Sequence, residues 1–330
     1  MGPAESAVRW LSYEDSKAWC DTNLVTLRTR IYWLGAALAA AALLIAGIYW
    51  YRSRPFTTAR LLQRLPADNA LVLSIDFRAL RRAGILQLLD GSQAGQDPEY
   101  QAFVRRTNFN YQRDLDRALA AFAPTGKFLL LEGRFDWPRL RAYVAEQGGR
   151  CERDLCRMQG SLPERQISFF PLRSGLMALA VSPDRSAVLR LTAPAPGPPA
   201  VPPAEPVWLS VPVAMLRSGD DLPTGTRMFA HSLSEAESVT LAFAPEGQRL
   251  AAKLDVLCRN EIDAADAELE LTRVTSVLRQ MIARENQSPN PSDLSGVLAA
   301  GSFRSAGKRV YGYWPIERSF VENLFGGQHP

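Results

Sequence analysis

Hydrophobic and polar positions change period several times along this chain, and the longest apolar run has no polar break. From Ile31 to Tyr51 no residue carries a charge. At 1.5 Å rise per residue, such a run spans a bilayer core of roughly 30 Å. Tyr32 and Trp33 stand at one end and Tyr49, Trp50 and Tyr51 at the other, where amphipathic rings favour the membrane interface. The pattern predicts a transmembrane helix over 31–51. It begins late for a signal peptide, and its end is bulky where a cleavage site has small residues, so it reads as an uncleaved anchor. Gly35 and Ala39 make a small-xxx-small spacing that lets helices approach closely, so a homo-oligomer paired through this face is one expectation. Residues 1–30 read as a short tail.

After the run, the pattern alternates between helical and strand periods. Thr57–Arg64 reads as a helical spacer, Leu65–Asn69 as a turn and Ala70–Asp76 as a buried strand. Phe77–Leu89 has helical spacing, with Leu80, Ile85 and Leu88 on one side. Asp97 followed by Pro98 marks a helix start. Arg117–Phe122 and Lys127–Gly133 form a hairpin around Pro124–Gly126. Asp136 and Pro138 start a helix that Gly148 and Gly149 stop. Gln166–Phe170, Leu176–Val181 and Ala187–Leu191 read as three further strands. Ala193–Pro206 then carries Pro194, Pro196, Pro198, Pro199, Pro202, Pro203 and Pro206, a stiff extended connector.

Beyond the connector the pattern resumes in the same order. Pro206–Val211 answers Ala70–Ile75, and Val239–Gly247 answers Ala118–Gly126. Gly301-Ser302 followed by Val310–Ile316 answers Gly160-Ser161 followed by Ile167–Leu172. A long helix is predicted from Asn260 to Arg284, its acidic residues gathered towards the start where the dipole favours them. Ordered recurrence predicts an internal duplication. The expected fold class is α+β: an N-terminal transmembrane helix followed by two duplicated ferredoxin-like βαββαβ units. The expected segments are 1–30, 31–51, 52–192, the linker 193–206, and 207–330.

Composition narrows the classes of function. The chain has 330 residues, 47% hydrophobic and 22% charged, with a formal net charge of +4. That excludes disorder and multiple spans, and a near-neutral large region lacks the electrostatic footprint of a nucleic-acid binder. Lys occurs only at 17, 127, 253 and 308. Arg28 and Arg30 precede the apolar run and Arg52 and Arg54 follow it, so the positive-inside rule does not choose a side. Long folded regions translocate largely regardless of such charges. The expected location is the cytoplasmic membrane, with the tail inside and the large region outside.

The inventory of reactive groups is thin. Histidine occurs only at 231 and 329, and no nucleophile elbow, HExxH, Walker A or dinucleotide fingerprint is present. No catalytic, cofactor or metal residue is assigned; Asp263, Asp266, Glu268 and Glu270 read as a solvated helix start. Cys151 and Cys156 lack the further ligands of a zinc site. The polar turn between them predicts a local disulfide, which marks an oxidising compartment, with Cys258 left as a buried thiol. Leu65-Pro-Ala-Asp68, the strand ending at Asp76, and Tyr111-Gln-Arg-Asp114-Leu-Asp116 resemble an uncharacterised bacterial membrane-anchored family with large extracytoplasmic regions. The resemblance covers about residues 61–191, implies no active site, and carries no functional residue over. Two readings remain. One is a non-enzymatic membrane-anchored binding or assembly protein, an accessory subunit or scaffold of an envelope complex. It would meet the bilayer through 31–51 and a protein partner through Phe169, Phe170, Tyr311, Tyr313 or Trp314. The other is an extracytoplasmic hydrolase using paired carboxylates, which needs a cleft with two acids.

Overall fold

The computed structural model describes residues 40, 42–44, 56–86, 97–218 and 226–326, with 161, 163, 199, 248, 286 and 287 outside the description. Among the described residues no helix is long and apolar enough to cross a membrane. The predicted span and the 1–30 tail lie outside them, save for residues 40 and 42–44, which are helical. Leu88 and His329 also lie outside.

The described residues from Thr57 to Gly326 form one compact unit, built on a twelve-stranded sheet. The chain opens with α1 (Thr58–Leu62), β1 (Leu71–Ile75) and α2 (Phe77–Arg82), followed by α3 (Pro98–Thr107) and α4 (Tyr111–Asp114). Strands β2 (Leu115–Ala123) and β3 (Gly126–Gly133) follow, then α5 (Trp137–Glu146). Next come β4 (Arg150–Glu152), β5 (Leu155–Gln159), β6 (Gln166–Arg173), β7 (Leu176–Ser182) and a 3₁₀ turn at Ala187–Leu191. After the connector run β8 (Val207–Val211), α6 (Val213–Ser218), α7 (Arg227–His231), β9 (Ser238–Glu246) and β10 (Arg249–Leu257). The chain closes with α8 (Glu261–Arg284), α9 (Leu294–Ala299), β11 (Ser302–Ala306), β12 (Arg309–Ile316) and α10 (Arg318–Gly326).

Helix starts are set by side-chain caps, which satisfy backbone N–H groups that have no helical partner. Asp76 accepts from the Ala79 N–H at 2.7 Å, Asp97 from those of Glu99 and Tyr100, Asp136 from Arg139 and Asn260 from Asp263. Gly126 turns the β2–β3 hairpin with φ of 143°, and a Cβ there would stand 2.7 Å from the Val181 carbonyl oxygen. Only glycine fits both demands.

The strand order is β11-β12-β10-β9-β8-β1-β2-β3-β7-β6-β5-β4. Every pairing is antiparallel. This corrects the ferredoxin-like expectation. That unit needs a parallel pair and a split order, whereas here each early strand lies beside the one before it. The two segments also share one sheet, joined where β1 pairs with β8. Outward from that seam, β1-β2-β3-β7-β6 and β8-β9-β10-β12-β11 run in parallel sequence. Leu73 faces Leu209 at the seam. Leu71 faces Phe122 on one side and Val207 faces Phe243 on the other. Two of the three matching sequence blocks therefore occupy corresponding places. The third does not: β6 lies beside β7, whereas β12 lies beside β10.

Two local expectations also change. Ala187–Leu191 is not a strand. Ala187, Leu189 and Thr192 donate to the carbonyls of Asp184, Ser186 and Leu189, the three-residue spacing of a 3₁₀ turn. That turn buries Ala187, Val188 and Leu191 and leaves Arg190 outside. Around the cysteines lies the β4–β5 hairpin, in which Arg153 takes φ of 55°.

Strand residues alternate between two faces, and the registers sort them. One face carries Ile75, Leu131, Phe169, Met177, Val239, Leu254, Val256, Val310 and Trp314. Helices α2, α5, α7, α8 and α9 cover it, giving three apolar clusters. The opposite face differs between the halves. In the first half Leu119, Ala121, Phe128, Leu130, Ala178 and Ala180 are buried. The 3₁₀ turn packs on β6 and β7 there. Arg64 ties α1 to it by donating to the carbonyls of Leu191 and Thr192. In the second half the same face has no helix among the described residues; it carries Lys253, Asp255, Arg304, Arg309, Tyr311 and Tyr313. An antiparallel sheet tolerates water on one side when that side is polar.

Candidate functional site

That open face over β10–β12 is the candidate site. It is built by the alternation of Val310-Tyr-Gly-Tyr-Trp-Pro-Ile316: Val310, Gly312, Trp314 and Ile316 are buried, while Tyr311, Tyr313 and Pro315 point the other way, half-buried. Register sets Tyr311 between Asp255 and Arg304, and Tyr313 between Lys253 and Ser302. The Arg304 guanidinium lies 4.8 Å from the Tyr311 ring centroid, a cation–π contact. The Tyr313 hydroxyl donates to the Glu246 carboxylate at 2.5 Å. That hydrogen bond pushes the Tyr313 phenol up, with burial and the Glu246 charge adding to it. Arg309 pairs with Asp255 at 2.6 Å and Lys253 with Glu205 at 3.3 Å. The face is thus a neutral, ion-paired surface with two tyrosines held in fixed orientations. Amphipathic rings that lose little entropy on contact are a common feature of protein interfaces.

The five aromatic residues singled out in the sequence are not brought together. Phe169 is buried under α5. Trp314 is buried on the helical side, edge-on to Phe303 at 5.2 Å and Phe229 at 6.3 Å. Phe170 is half-buried opposite Ala178 in the first half. Tyr311 and Tyr313 alone share the open face. Cys151 and Cys156 are cross-strand partners of the β4–β5 hairpin, joined at an S–S distance of 2.02 Å. Cys258 is a buried free thiol, pushed up by burial and by the charges of Asp263 and Glu237.

The acidic motif of the first half is a clamp. Asp114 accepts from the Asn110 backbone at 3.0 Å, from Arg113 at 2.8 Å and from Arg134 at 3.2 Å. Asp116 accepts from Arg78 at 2.9 Å and Arg81 at 2.6 Å. The clamp ties α2, α4 and the ends of β2 and β3 together. Burial pushes the Asp114 carboxyl up, but the bonds from Arg113 and Asn110 and the charges of Arg113 and Arg134 outweigh it and hold the group low. Asp116 is likewise pushed up by burial and held low by Arg78 and Arg81. A general acid needs the opposite displacement, so neither carboxyl is set up as the protonated member of a carboxylate pair. Groups whose folded-state pKa is depressed stabilise the fold above the unfolded value, near 3.9, and lose that contribution as pH falls through the folded one. Asp114→Asn is expected to lower stability at pH 7 by about 1–3 kcal/mol. Its stability should then fall less than the wild type's between pH 5 and 2. Denaturant titrations at both ends check this; equal acid losses in the two proteins would contradict it.

Among the described residues no group of three His, Cys, Asp or Glu side chains could hold a metal ion. His231 ends α7, exposed at the rim of a 420 Å³ cavity that Cys258, Asp263, Asp266 and Glu270 also line. Neither a nucleophile nor a general base is positioned there by a hydrogen bond.

No family model matches the chain, and no curated protein matches it. The resemblance carried by Leu65–Asp68 and Tyr111–Asp116 therefore gains no family from these searches. Solved structures of the Treponema pallidum protein TP0453 are similar in outline. Crystal form I is 12% identical, with a TM-score of 0.46, covering 82% of this chain and 98% of that one. Crystal form IV is 10% identical, with a TM-score of 0.41, covering 81% and 96%. A likeness at this level carries no statement about activity, ligand or partner.

Proposed function

We propose that this chain is a non-enzymatic, membrane-anchored binding or assembly protein, an accessory subunit or scaffold in a cell-envelope complex, whose working surface is the open face around Tyr311 and Tyr313. The uncharged Ile31–Tyr51 run supports the anchor. The observation that carries the reading is local to the second half: among the described residues no helix lies on the sheet face over β10–β12, and two oriented tyrosines stand there among paired charges. We also read the corresponding strand orders on either side of β1·β8 as the product of an internal duplication, after which one half kept its second face open.

The large region is proposed to lie outside the cytoplasm, where the Cys151–Cys156 bond would persist. Thiol labelling of intact cells should leave both sulfurs unreactive until reductant is added; free thiols in freshly quenched native protein would contradict that location. For the working surface, Tyr311→Ala/Tyr313→Ala is expected to lower the melting midpoint, through the lost half-buried ring area and the lost Glu246 hydrogen bond, yet to leave the chain folded, and to remove the proteins that co-purify stoichiometrically from native membranes. Retention of the same proteins by a folded double variant would count against this face.

A further inference from the structure

Helix α8 spans 24 residues and buries one side, with Ala264, Leu271, Val274 and Thr275 turned into the core. Its outer side is not the polar face expected of a helix that meets only water. Ile262 is 73% exposed, Leu269 67% and Val277 36%. At 100° per residue these three, with Asp266 and Arg273, fall within one narrow stripe opposite the core. Read along the helix, the stripe is apolar, acidic, apolar, basic, apolar. Reversed, it keeps its apolar positions and exchanges its charges. Asp266 forms no ion pair among the described residues, and Arg273 reaches only Glu270, at 3.4 Å and largely exposed. An exposed pair of that kind contributes little and is easily exchanged.

We propose that α8 is an interface between two copies of this chain, packed antiparallel about a two-fold axis near Leu269 and Glu270. In that register Ile262 meets Val277 of the second copy, Asp266 meets Arg273, and the two Leu269 side chains meet at the axis. A two-fold interface must be complementary to itself. This stripe satisfies that only in the antiparallel sense, because parallel packing would set Asp266 on Asp266 and Arg273 on Arg273. The contact from Ile262 to Val277 is about 22 Å long, towards the small end of specific interfaces, so pairing should depend on concentration.

Sedimentation velocity on the full chain in detergent micelles, over a range of protein concentrations, tests this. The wild type is expected to dimerise reversibly. Asp266→Arg and Arg273→Asp, both at exposed positions, should each raise the dissociation constant about tenfold or more by placing like charges together. An equimolar mixture of the two variants should recover wild-type pairing, because each now presents what the other lacks; the double variant D266R/R273D should recover it alone. Circular dichroism melts establish that all forms are folded. A wild type that stays monomeric, a dimer indifferent to the single reversals, or reversals that neither the mixture nor the double variant repairs would each overturn the proposal.

Discussion

Leu209→Pro is expected to unfold both halves of the compact unit together. Leu209 lies in the middle of β8, between Leu73 of β1 and Leu241 of β9. Proline there removes a ladder donor, leaving a buried carbonyl unsatisfied at a cost of about 1–3 kcal/mol, and introduces a ring that a central strand cannot accommodate. The removed leucine packing adds to it. Against a typical domain stability of about 5–15 kcal/mol, the variant should lose its cooperative unfolding transition. The diagnostic part is where the damage extends. Two independent units would leave residues 57–192 folded and protease-resistant; one sheet joined at β1·β8 would not. Limited proteolysis of the variant distinguishes these, and a stable fragment ending near the connector would contradict the single sheet.

Phe128→Ala is expected to be the most damaging single truncation in the first half. Phe128 is fully buried, and its neighbours across the sheet, Ala121 and Ala180, are fully buried as well. Those two small residues leave the room the ring fills, so its removal leaves a cavity that they cannot close. The loss should be about 3–5 kcal/mol, lowering the melting midpoint by roughly 10 °C for a unit of this size. Phe122→Ala is the contrast, because Phe122 sits at the hairpin end with 37% of its surface exposed. It should lose less than about 1.5 kcal/mol. Equal effects at the two positions would mean that the face buried under α1 and the 3₁₀ turn is not packed as described.

The local elements were legible where a residue acts on its own neighbours. Asp97 with Pro98, Asp136 with Pro138, and Asn260 start helices as their chemistry dictates, and Gly126 turns the hairpin. The recurrence of Ala70–Ile75 in Pro206–Val211 pointed to the two strands that meet at the seam. Strand order was not legible, because the same succession of helices and strands can be laid into a sheet in several ways. Ala187-Val-Leu-Arg-Leu191 looked like a strand by composition, yet its buried positions 187, 188 and 191 follow a helical spacing. Tyr311, Tyr313 and Trp314 stand together as candidates in the sequence, although the alternation of Val310–Ile316 already separates Tyr311 and Tyr313 from Trp314. The short β4 and β5 were missed because strands of three and five residues carry too few positions for a period to emerge.

Everything functional in this account depends on the face of β10–β12 being covered by another molecule in the membrane. Hydroxyl-radical footprinting of Tyr311 and Tyr313, in intact native membranes and in the purified protein, measures that directly, with the exposed Met228 on the other side as internal reference. Both tyrosines should be several-fold protected in membranes relative to the purified chain, with Met228 modified equally in both. Equal modification of Tyr311 and Tyr313 in the two samples would contradict it.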